Sequence, residues 1–158
     1  MNFVTDNIDK YTPIKKVNGK YIVSWGLTKN NNDTYTWKYY ITDRKPTPET
    51  IKEEINTYIN ENVKKSIIND FTWNGMKVNL SIENQIDYKL LFDITILQDG
   101  INLPEVIKLK QGKETVHYSI ESIEEFKDFM ICMNKHIREC LRQGRELKES
   151  IDYSEYTK

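Results

Sequence analysis

The side chains best suited to chemistry in this 158-residue chain are Cys132, His136 and Cys140, spaced C-x3-H-x3-C, with His117 as the second histidine. On a helix, residues i and i+4 share a face, so either neighbouring pair could ligate zinc. The two thiols, however, lie roughly 12 Å apart along a helix rising 1.5 Å per residue, too far for one ion or for a disulfide between them. The pattern therefore reads as two reduced, structural cysteines flanking a hydrogen-bonded histidine, with no metal and no cofactor. Pairwise ligation completed by His117 or by another subunit is the metal-binding alternative.

Catalytic signatures are missing from the sequence. There is no G-x-S-x-G, no P-loop and no H-E-x-x-H, so no nucleophile elbow, phosphate cradle or zinc-protease helix is encoded. The adjacent pairs Glu53-Glu54 and Glu124-Glu125 point about 100° apart on helices and do not converge on one substrate. The chain reads as a non-enzyme. Lys135, Arg138, Arg142 and Arg145 form a basic stripe at spacings of three and four residues. That stripe suits an acidic partner subunit or, less well, DNA, and it also complements the negative end of a helix opening with Glu121, Glu124, Glu125 and Asp128. Trp25, Trp37 and Trp73, with Tyr39 and Tyr40, could make a stacking platform for a carbohydrate or a base, but aromatics in strands of a small domain usually form its core.

Composition sets the bounds. A net charge of −1 gives no electrostatic reason to expect nucleic acid as a partner, because non-specific DNA binding relies on many neutralised phosphates. Apolar residues are 38%, yet ten Tyr, five Phe and three Trp supply enough large side chains for a core. There is no alanine, and Lys far outnumbers Arg, a bias that matches an AT-rich genome. The N-terminal residues lack the apolar stretch of a signal peptide and no run reaches the length of a membrane span, so the expectation is a protein made in a cytoplasm, with no membrane partner.

The elements that would position these residues read as α+β: three successive ββα units, antiparallel hairpins on amphipathic helices, ending in a long C-terminal helix. Residues 1–19 read as a loose N-terminal arm. Residues 20–69 form the first ββα module: strands at 21–25 and 34–42, the latter with Tyr35, Trp37 and Tyr39 on one face, then a helix opened by Thr47-Pro48-Glu49. Its apolar stripe is Ile51, Ile55, Tyr58, Ile59, Val63 and Ile67. Residues 70–158 carry the other two units. Asn74-Gly75 between strand-type runs predicts a type I′ hairpin turn. Ser81 caps a helix whose buried stripe is expected at Ile86, Leu90, Ile94 and Leu97, with Gly100 as its stop. A third hairpin turns at Gln111-Gly112-Lys113, and Ser122-Ile123-Glu124-Glu125 is a capping box opening a helix with Ile123, Phe126, Met130, Met133, Ile137 and Leu141 inward.

Beyond Leu141 that helix keeps only Leu147 as an apolar anchor before the tail residues 151–156. The extension therefore reads as an interaction element, with Lys135, Arg138, Arg142, Arg145, Leu147, Ile151, Tyr153 and Tyr156 as partner-binding residues. A chain cut after Gln143 is expected to stay folded and to lose only assembly.

Residues 71–152 resemble a domain of unknown function that recurs in tailed phages and prophages of gut Bacteroidales, near tail and virion genes. The resemblance rests on Phe71, Trp73, Asn74, Gly75, Val78, Ser81, Glu83, Asn84, Gln85, Tyr88 and Lys89. It continues through Leu103-Pro104, His117-Tyr118, Glu124, Glu125, Phe129, His136-Ile137 and Ile151-Asp152. At Asn79, where that family tends to carry an aromatic, this chain departs from the pattern. The resemblance implies a virion structural or accessory protein (tail, connector or head decoration), made in the host cytoplasm and bound to other virion proteins and to copies of itself. A tail-fibre assembly chaperone and a carbohydrate-binding module are the alternatives.

Overall fold

A computed structural model describes residues 1–112 and 114–157. The fold is mixed α+β, with antiparallel strands and three helices, the last of them long. The chain divides into two compact units: residues 1–60 together with the segment from Glu146 onward, and Glu61–Arg145. This division differs from the expected one at residues 69 and 70, because its boundaries fall inside two helices.

The first unit is built on a four-stranded antiparallel sheet of β1 (Asn2–Asp6), β2 (Ile14–Val17), β3 (Lys20–Lys29) and β4 (Tyr35–Thr42), in the order β1-β4-β3-β2. The first 19 residues are thus not a loose arm. They supply both outer strands, with Val4 opposite Trp37 and Ile14 opposite Val23. Outer strands bury little and carry charge on their free edges, here Lys15 and Lys16, so their apolar alternation is faint. The chain then enters α1 (Pro48–Asn69), where the Thr47 hydroxyl accepts from the Thr50 amide at 3.3 Å. Ile51, Ile55 and Ile59 are buried, as are Val23 and Trp25 on the sheet. Tyr58 meets the Trp25 ring edge-on with centroids 5.6 Å apart.

The second unit contains the end of α1, a sheet of β5 (Thr72–Trp73), β6 (Met76–Lys77), β7 (Glu105–Gln111) and β8 (Glu114–Ile120), then α2 (Ile82–Leu97) and most of α3 (Ile123–Glu149). Asn74 and Gly75 both have positive φ, 49° and 74°, and Trp73 pairs with Met76, which is the expected two-residue I′ turn. In the β7–β8 turn, Gln111 already belongs to β7, and Lys113 lies outside the described residues. Phe71, Trp73, Val78, Leu80, Ile107, Leu109 and Ile120 bury against Phe126, Phe129, Met130 and Met133 of α3. Phe129 is the hub. Its ring meets Trp73 and Tyr88 edge-on, each at 5.1 Å.

Candidate functional site

The side chains of α2 segregate onto two apolar faces. Ser81 caps the helix by accepting from the Asn84 amide at 3.3 Å. Asn79 braces the same turn, its side-chain oxygen accepting from the Ser81 amide and from the Asn84 side chain. Asn79, although exposed, thus does local work at the helix start. At the other end Gly100, with φ 77°, returns its amide to the Thr95 carbonyl and ends the helix.

Inward, Tyr88 and Thr95 are buried, with Leu91 and Phe92 partly so. Tyr88 packs on Phe129 and Phe92 on Phe126. The Thr95 hydroxyl donates to the Leu91 carbonyl and accepts from Asn102, which also donates to Glu105. Outward lie Ile86, Leu90, Ile94 and Leu97, the stripe expected to be buried, together with Ile82. Ile82, Ile86, Leu90, Ile94 and Leu97 are 59, 54, 54, 45 and 83% exposed, and Ile101 just beyond is 86% exposed. The reason is volume: the aromatic face fills the space above Phe126 and Phe129, so the aliphatic face of the same helix turns to solvent. The signal available in the sequence was Tyr88 and Phe92, an i, i+4 aromatic pair opposite the aliphatic row.

On the neighbouring face of α3 the basic stripe borders a groove. About 590 Å³ in volume, it is floored by Phe92, Met130 and Ile131 and rimmed by Lys127, Asn134, Lys135, Arg138, Glu139 and Arg142. Three of the four predicted cations, Lys135, Arg138 and Arg142, meet there, and Lys127, which sequence reasoning missed, joins them two turns upstream. Arg145 is exposed further along α3. Arg142 grips Glu139 through Nε at 2.9 Å and a terminal nitrogen at 2.6 Å, and Gln143 adds a third donor. Arg142 first, then Gln143, hold the Glu139 carboxyl down at about 2. Lys127, Lys135 and Arg138 supply the groove's remaining positive charge.

α3 begins with half of the expected box: the Ser122 hydroxyl accepts from the Glu125 amide, while the Glu125 carboxylate reaches one residue past the cap to the Glu121 amide and accepts from the Tyr118 hydroxyl at 2.6 Å. Leu141, expected inward, departs from expectation and is exposed. Gly144 is buried within a helix that continues to Glu149.

The Cys-His-Cys face is held by other bonds. His136 Nε2 lies 3.1 Å from the Ser66 carbonyl and 3.7 Å from Cys140 Sγ, and the ring stacks near Phe71. Cys132 points to Asp128 at 3.8 Å. Burial raises both thiols above their ordinary value, with Asp128 adding to the effect at Cys132. Among the described residues no group of three or more His, Cys, Asp or Glu side chains could hold a metal ion.

The tail residues proposed as a partner anchor lie against their own unit. Tyr156 is 4% exposed and its hydroxyl donates to the Ser24 carbonyl at 2.7 Å. Glu155 accepts from Tyr11, Lys52 sits over the Tyr153 ring, and Lys148 donates to Asn60. Leu147, Ile151 and Tyr156 line one cleft with Gly26, Leu27 and Thr28, beside a bulge in β3. Tyr156 is therefore core and not a free anchor. Trp25, Trp37 and Trp73 are buried as well. Trp25 lies under Lys38, Trp37 meets Tyr11 edge-on, and Trp73 donates to Asp128.

Among the described residues no helix is long and apolar enough to cross a membrane. Compared with protein-family models, with curated proteins and with solved structures, the chain matches none.

Proposed function

We propose that this chain is a bacteriophage virion structural or accessory protein, a tail, connector or head-decoration component that works through protein–protein contacts. One observation carries the reading: α2 presents five large aliphatic side chains in a row to solvent. Leaving such a row in water forgoes roughly 25 cal/mol for each Å² that a partner would cover, and contiguous apolar patches of this kind mark contact surfaces. The basic groove along α3 is the second contact surface, and its chemistry suits an acidic segment of a neighbouring virion protein.

The likeness of residues 71–152 to the phage domain supports the virion setting, and those residues include the whole of α2. An assembly chaperone for a tail fibre would use the same surfaces, and its absence from finished particles separates it from a structural component. The carbohydrate-binding alternative loses support because its three tryptophans are buried. Mass spectrometry of purified virions is the test. A stoichiometric copy number is expected, and absence from particles in which the gene is expressed would overturn the structural role.

A further inference from the structure

We infer that the occupant of the α2 face is a second copy of this chain, its α2 packed antiparallel on the first with Leu90 at the two-fold axis. The inference rests on the reading of α2 as a docking surface and names the partner. Ile82, Ile86, Leu90 and Ile94 form a ridge at i+4 spacing, and such ridges pack into the grooves of a neighbouring helix. The ridge is also nearly symmetric about its middle. Ile86 and Ile94 each lie four residues from Leu90, while Ile82 lies eight away and Leu97 seven. A two-fold axis through Leu90 therefore sets Ile86 on the partner's Ile94 and Ile82 on the partner's Leu97, leaving apolar surface against apolar surface along the whole helix.

Charge follows the same symmetry. Lys89 and Asp93 line one flank of the ridge and pair with each other within the chain. In the antiparallel arrangement that flank meets itself, so each Lys89 also comes within reach of the opposite Asp93, and both ion pairs can bridge the interface. Glu83 and Asp87 occupy the other flank. There each faces the apolar end of the opposing helix and not its own counterpart, so like charges stay apart.

Disulfide trapping and mass measurement test this together. The native chain is expected to show twice the monomer mass in light scattering. Leu90→Lys should weaken self-association at least about tenfold while keeping the native circular dichroism spectrum, since Leu90 is half exposed. Leu90→Cys should cross-link to a dimer under mild oxidation, because a residue on the axis meets itself, whereas Ile82→Cys should not, and the unsubstituted chain controls for Cys132 and Cys140. A monomeric native chain, or a dimer that survives Leu90→Lys, overturns the inference. If the native chain is monomeric yet Leu90→Lys is lost from particles, self-pairing falls and the docking surface stands. If Leu90→Lys enters particles normally, both fall.

Discussion

The hydroxyl of Tyr156 donates to the carbonyl of Ser24 at 2.7 Å, tying the end of the chain to the middle of β3. Its ring is buried there, so the tail holds its own unit together. Tyr156→Ala should cost about 3–5 kcal/mol, and Tyr156→Phe about 1 kcal/mol or more through the carbonyl left short of a donor. Chemical denaturation of both variants checks this, and two unchanged midpoints would return the tail to the surface.

Truncation after Gln143 removes Leu147, Ile151 and Tyr156 together. The shortened chain is expected to lose at least about 3 kcal/mol, contrary to the sequence expectation of an intact monomer. Thermal melting followed by circular dichroism decides it, and a native melting temperature would contradict the packing described.

Gly75→Val tests the hairpin. Gly75 sits at φ 74° with open space around it, so the cost is purely conformational, at least about 1 kcal/mol for a β-branched residue. An unchanged melting temperature would remove the I′ turn.

Alkaline pH should unfold the first unit through its tyrosines. Burial first, then the Glu155 carboxylate, push Tyr11 up to about 12, and burial with Glu54 does the same at Tyr40. Burial raises Tyr156 as well. The unfolded chain titrates at the ordinary 10.0, so between 10 and about 12 the folded state holds more protons. Stability that is fully present below pH 10 is lost as pH rises through that window. Tyrosinate absorbance followed alongside circular dichroism should show late ionisation coinciding with unfolding. Ordinary titration with the fold retained would contradict it.

Local chemistry was legible in the sequence wherever a few neighbouring residues decide the backbone. Thr47, Ser81 and Ser122 with Glu125 gave the helix starts, and Asn74-Gly75 gave the turn. What could not be read was the choice between alternatives that depends on distant partners. α2 has two apolar faces, and the choice went to the aromatic one because Phe126 and Phe129, some forty residues on, leave space for rings. The short outer strands β1 and β2 form because β4 and β3 offer them free edges, a fact that their own residues scarcely encode. For the candidate site, Lys135, Arg138 and Arg142 of the expected stripe border one groove without Arg145, and that groove needs Phe92 from another helix.

The paired change Lys135→Glu and Arg138→Glu should leave stability within about 0.5 kcal/mol of native, both positions being exposed, and should reduce incorporation into particles. The native chain is expected not to bind duplex DNA in fluorescence anisotropy. Binding that falls steeply with added salt would reassign the groove to phosphate.

The proposed virion role requires the α2 face to be covered in the particle. Its most direct test is the copy number, in purified virions, of a chain carrying Ile86→Glu and Leu90→Glu. Both positions are half exposed, so the variant should fold and accumulate in the infected host like the native chain, yet be missing from the particles. Incorporation at the native copy number would contradict the account.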